Sequence, residues 1–155
     1  MQKLPTEFES PDNSPGYQLW RVTNLWQSQI RRALKPFDLT HVQFVLLTVS
    51  THLTEHGLPV NQARIADAAG TDKMMTSQVL RSLESKSLVV RTQSAEDGRA
   101  VDVMPTFEGR SLASKAVVQI EMADAAFFSV LGSDAVLIGS LLHRLAASHA
   151  KTMDA

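Results

Sequence analysis

The stretch VNQARIADAAGTDKMMTSQVLRSLESKSLVVRTQSAEDGRAVDVMP, residues 60–105, decides the fold. Asn61 is a cap for a short helix carrying Ala63, Ile65, Ala66 and Ala69, and Gly70 suits the left-handed backbone that ends it. Asp72 then caps a second helix. The pattern predicts that this helix buries Met75, Val79, Leu80 and Leu83, leaving Lys73, Met74, Thr76, Ser77, Gln78 and Arg81 wholly or partly exposed. Two short helices split by a glycine turn let the second lie in the major groove of DNA while the first crosses the backbone. Residues 88–93 and 100–104 are short runs with β-branched side chains around a polar tip, Ser94 to Arg99, which reads as a hairpin wing.

Outward on the N-terminal side, Val42, Val45, Leu46, Val49 and Leu53 mark a helix that Asp38 or Thr40 can cap and that Gly57 and Pro59 close. Before it, Leu19, Val22, Trp26, Ile30 and Ala33 repeat at helical spacing until Pro36. Residues 1–16, with Glu7, Glu9, Asp12 and three prolines, read as a flexible arm, lacking the basic start and apolar run of a signal peptide. On the C-terminal side, Pro105 and Thr106 open a long helix with Leu112, Ala116, Ile120, Ala123 and Phe127, and Gly132 ends it. A last helix carries Val136, Leu137, Leu141, Leu142 and Leu145.

The expected architecture is mainly α with a small β wing: a winged helix-turn-helix over about 39–105, in one domain over 17–155, flanked by helices at about 17–35 and 106–151. The apolar content of the terminal helices exceeds what a lone winged helix buries, so a second copy of the chain is the natural cover.

Composition narrows the function. With 15 Lys plus Arg against 16 Asp plus Glu, any surface for DNA must be local. Within residues 61–99, Arg64, Lys73, Arg81, Lys86, Arg91 and Arg99 face Asp67, Asp72, Glu84, Glu96 and Asp97, a narrow excess that serves DNA only if the bases point outward. The absence of cysteine removes disulfides and thiol redox sensing. No apolar run approaches the roughly 20 residues that span a bilayer, so a cytoplasmic protein without a membrane partner is expected. Ser, His and Asp occur without a glycine-flanked nucleophile, a phosphate-cradling loop or a dense carboxylate cluster, which argues against an enzyme. His52 and His56 have the i, i+4 spacing of metal ligands, but further ligands are missing, so no metal or other cofactor is expected. Arg31, Arg32 and Lys35 can either touch phosphates or complement the end of their helix.

The candidate DNA contacts are Asn61, Gln62, Arg64, Lys73, Met74, Thr76, Ser77, Gln78, Arg81, Arg91 and Arg99. Thr76, Ser77 and Gln78 carry short or amide donors and acceptors near the start of the second helix, and Lys73 and Arg81 add charge beside them.

Ile65, Ala66, Ala69, Asp72, Lys73, Leu83, Glu84, Leu88, Val89 and Arg91, then Glu96, Asp97, Gly98 and Arg99, then Thr106, Glu108 and Gly109, follow one order without a gap. In this order the chain resembles the MarR family of winged helix-turn-helix regulators. The resemblance implies a homodimer built from the first and last two helices, reading a pseudo-palindromic duplex. It implies that Asp97 braces the wing and that Arg99 reaches the minor groove or holds the tip. It also implies transcriptional regulation, with repression released by a small aromatic or acidic effector, for which Trp20, Trp26, His41 and Phe44 are the candidate pocket. The chain departs from the family pattern at Ser77, at Gln78, where arginine is frequent, and at Ser87, where glycine is usual. Gln78 trades a charge for an amide that can pair with adenine. The alternative reading is a winged-helix protein-interaction module or antirepressor that does not bind DNA.

Overall fold

The computed structural model of the chain describes residues 5–58, 60–95 and 98–150, the side chains of the last two excepted. Local capping chemistry places most helix ends where the sequence puts them. α1 (Pro15–Leu34) starts slightly earlier than expected, because Ser14 caps it by accepting from the Tyr17 N–H (3.4 Å) and Pro15 fills the first position, which needs no donor. A short 3-10 turn, Pro11–Asn13, precedes it, and the Asp12 carboxylate accepts from Gln18 Nε2 (3.2 Å) and Arg21 Nη1 (3.0 Å).

Of the two candidate caps for α2 (His41–Glu55), Thr40 is used. The Gln43 N–H donates to Thr40 Oγ1 (3.2 Å) and the Thr40 N–H donates to Gln43 Oε1 (3.0 Å), closing a capping box. Asp38 instead turns the chain in the left-handed region (φ 52°). The buried stripe of α2 differs from the expected one: Gln43, Phe44, Leu46, Leu47, Ser50, Thr51 and Leu53 are buried, while Val42, Val45 and Val49 are half-buried. Ser50 and Thr51 are tolerated inside because both hydroxyls donate to the Leu47 carbonyl (2.9 and 2.8 Å). Pro59, expected to help close α2, lies outside the described residues.

Next come α3 (Gln62–Ala69), α4 (Lys73–Ser85), β1 (Val89–Gln93) and β2 (Val101–Pro105). Asn61 caps α3, Gly70 ends it at φ 63°, and Asp72 caps α4. β1 and β2 pair antiparallel from Val89↔Pro105 to Gln93↔Val101. The chain before α3 joins the same sheet, since the Val103 N–H donates to the Val60 carbonyl (2.9 Å) and Asn61 bridges Asp102. Ile65, Leu80, Leu83, Val89 and Val103 close the core with Leu46 and Leu47. Each such side chain contributes about 1.5–3 kcal/mol by leaving water.

The junction from α4 through the sheet to α5 (Phe107–Phe128) depends on three residues. Ser87 takes the left-handed turn usual for glycine (φ 59°). Thr106 Oγ1 accepts from the Gly109 N–H (2.9 Å) while its hydroxyl reaches the Ser87 carbonyl (2.9 Å). At Gly109 the α5 backbone comes so close to Leu88 that a Cβ would lie 2.0 Å from the Leu88 carbonyl oxygen.

The chain divides into two units, Met1–Ile120 and Glu121–Ala155. In the first, α1 buries only Ile30 and Leu34; Leu19, Trp20, Val22 and Leu25 of the predicted face and its edges are exposed. The buried positions of α5 are Gly109, Ala113, Ala116 and Ile120, with Leu112 half-buried. In the second unit, α6 (Asp134–Ala150) exposes Val136, Leu137, Leu141, Leu142 and Leu145. Among the described residues no single helix is long and apolar enough to cross a membrane.

Candidate nucleic-acid interface

The outer face of α4 is set by its cap and by one buried hydroxyl pair. Asp72 Oδ1 accepts from the Met75 N–H (2.8 Å), which fixes where the helix begins. Thr76 Oγ1 lies 2.8 Å from Thr71 Oγ1 and donates to the Asp72 carbonyl (2.7 Å). Thr76 is therefore fully buried, a correction to its placement among the DNA contacts; its hydroxyl is used inside the fold. Met75 changes places with it and is 40% exposed.

What faces outward on α4 is Lys73, Met74, Gln78 and Arg81, with Ser77 half-buried beside them. Met74, 84% exposed, presents a polarizable apolar side chain at the very start of the helix. Arg64 projects from α3, its backbone N–H held by Asn61 Oδ1 (2.9 Å). The inner side of α4 is anchored to α2 by Gln43 Nε2, which donates to Ser82 Oγ (2.9 Å). Gln43 thus caps one helix and orients another.

Arg91 is a second correction. Its side chain is only 14% exposed and is drawn into the fold by Glu84 Oε2 (3.6 Å from Nη1) and by Gln62 Oε1, which accepts from Nη2 (3.3 Å). Glu84 Oε1 also accepts from the Arg91 N–H (3.1 Å). Arg91 and Gln62 therefore link α3, α4 and β1 through the guanidinium Nη atoms, while Arg91 Nε is buried without a hydrogen-bond partner among the described residues. Asn61 is likewise committed in part, because its side-chain oxygen caps α3. Thr92, Gln93 and Arg99 are exposed along the wing, and Gln93 Nε2 donates to the Gly98 carbonyl across its tip. Asp97, the expected wing brace, lies outside the described residues.

The residues expected to line an effector pocket are not brought to one cavity. An open groove of about 950 Å³ lies between the end of α1 and the start of α2, and of the four candidates only His41 lines it. Trp26 meets His41 edge-on with ring centroids 5.1 Å apart, whereas Trp20 stacks on Tyr17 and is 63% exposed. Phe44 is part of the core. The groove is lined instead by Arg31, Arg32, Lys35, Thr71 and Lys86, among others. The basic cluster was visible in sequence; its convergence with Thr71 and Lys86, distant in the chain, was not. His52 and His56 are exposed with ring centroids 4.1 Å apart, and among the described residues no group of three or more metal-binding side chains converges.

The model of the MarR family matches residues 39–101, the span from just before α2 to the start of β2. The HTH-type transcriptional regulator YdcH of Bacillus subtilis is 40% identical over 124 residues, which are 80% of this chain and 84% of that one. The repressor CouR in complex with a 23-mer DNA duplex is 27% identical, with a TM-score of 0.74 over 92% of this chain and 96% of that one. CouR of Rhodococcus jostii RHA1, bound to p-coumaroyl-CoA, is 24% identical, with a TM-score of 0.75 over 90% and 94%.

Proposed function

The chain belongs to the MarR family, and on that premise we propose that it is a homodimeric, DNA-binding transcriptional repressor whose α4 reads a pseudo-palindromic operator and whose hold on DNA is released by a small anionic effector. The observation that carries the reading is the outward face of α4, where Lys73, Met74, Gln78 and Arg81 stand on a helix fixed at one end by the Asp72 cap and along its inner side by the Gln43–Ser82 bond. A rigid mount is what base-edge recognition requires. Arg64 and Arg99 flank that face on α3 and the wing, where phosphate and minor-groove contacts fall in such readers.

Gln78 is placed to pair with adenine, so the operator differs from that of relatives with arginine there. Arg99 reaches the minor groove or holds the wing tip. Dimerisation uses the exposed apolar residues of α1 and of the C-terminal helices, which require cover. The protein works in the cytoplasm and is not an enzyme. An effector releases DNA only by binding the non-competent spacing of the two readers more tightly.

The test is selection of duplex fragments from a genomic pool by the purified protein at several salt concentrations. Pseudo-palindromic fragments bound with a steep salt slope are expected, with Gln78→Ala and Arg99→Ala each weakening binding by about 1–3 kcal/mol. No binding at low salt would overturn the reading in favour of a protein-interaction module.

A further inference from the structure

We propose that the groove between α1 and α2 takes a small polyanion, a ligand carrying at least two negative charges, through Arg31, Arg32 and Lys35. This names the chemical class of the effector proposed above and rests on that reading only for its regulatory consequence.

Three observations carry it. Arg31, Arg32 and Lys35 line one wall, and among the described residues none has a carboxylate partner. Complementing the negative end of α1 accounts for a cation on its last turn, but not for three converging on one groove, which Lys86 enters from the end of α4 as the partner of Asp38. The one carboxylate in the lining, Asp38, is engaged by Lys86 Nζ (2.8 Å), so it leaves the three α1-side cations uncompensated. Like charges gathered in one concavity raise each other's energy, and a ligand with several negative charges relieves that repulsion where a single carboxylate satisfies only one guanidinium.

The volume, about 950 Å³, is in the range of small-molecule sites. The groove also touches the reading head. Thr71 lines it, and the Thr71 hydroxyl is bonded to buried Thr76 immediately beside the Asp72 cap of α4. A ligand that takes the Thr71 hydroxyl therefore acts one hydrogen bond away from the start of the recognition helix.

The experiment is calorimetric titration of the full-length protein with coenzyme A, citrate and salicylate, alongside duplex-DNA binding, for the wild type, Arg31→Gln/Arg32→Gln and Lys73→Gln. The wild type is expected to bind coenzyme A or citrate at least about tenfold more tightly than salicylate, a gap of roughly 1.4 kcal/mol. The double variant should lose at least about tenfold of that affinity while its DNA affinity stays within about threefold; Lys73→Gln should show the opposite pattern. A preference for coenzyme A assigns the charges to phosphates, and for citrate to carboxylates; either supports the proposal. Salicylate binding as tightly as the polyanions, or polyanion affinity unmoved in the double variant, would overturn it. So would a double variant that loses DNA affinity with polyanion binding intact, which assigns the groove to the DNA backbone. Failure of the regulator reading would appear separately, as a wild type that binds no DNA.

Discussion

The winged helix and the terminal helices are built from similar apolar residues and treat them in opposite ways. In the first, Ile65, Leu80, Leu83, Val89 and Val103 are essentially sealed from water by α2, α3, α4 and the two strands, which follow one another in the chain. In α6, Val136, Leu137, Leu141, Leu142 and Leu145 are all more than 40% exposed in the single chain, as are Leu19, Trp20 and Leu25 on α1. The reading head thus buries its core within one chain, whereas the terminal helices carry exposed apolar surface of the kind that a partner covers. Folding of the reader and its pairing with a second reader are therefore separable by mutation.

The largest effect should come from the terminal helices. Leu137→Asp with Leu141→Asp places charge where the proposed dimer needs apolar contact, and the dimer dissociation constant should rise by more than about a hundredfold. Analytical ultracentrifugation reads this, and helical circular dichroism should show the reading head still folded. An unchanged dimer would remove α6 from the interface.

Leu80→Ala breaks the other side of the comparison. Leu80 is fully buried, so truncation should cost about 2–5 kcal/mol in urea unfolding. A smaller step follows at the junction between reader and long helix. Gly109→Ala should cost about 1–3 kcal/mol, because the new methyl meets the Leu88 backbone and α5 has to shift away from the turn at Ser87. A neutral thermal midpoint would show that this close approach is not required.

The differing legibility of the two regions has a physical cause. Caps are local, so Asn61, Gly70 and Asp72 could be placed from neighbouring residues alone, and all three act as expected. The wing was equally legible, since β-branched runs around a polar tip carry their own signal. Side-chain phase was less so. Hydrophobicity ranks Met75 above Thr76, yet Thr76 is buried because Thr71, five residues earlier, supplies a hydroxyl partner. Gln43 is inside for the same kind of reason, its amide being satisfied by Thr40 and by Ser82, 39 residues away. Arg91 reads as a surface cation until Glu84 and Gln62 are brought to it. A polar group's partner, when distant in sequence, decides its burial, and no periodicity reports it.

The site shows the same division. Gln78, Arg81 and Lys73 were legible as an exposed face because they follow from the start of α4. The groove was not, because it depends on α1, α2 and the end of α4 meeting; Trp20 and Phe44 do not line it, whereas Arg31, Arg32, Lys35 and Lys86 do.

The most direct test of a reader complete in each protomer and paired only through a dimer is the affinity for a selected operator and for the same operator with about 5 base pairs inserted between its half-sites, half a helical turn. Paired readers predict a loss of at least about a hundredfold, since the second recognition helix would then face away from its groove. Equal affinity for the two duplexes would contradict a two-headed reader.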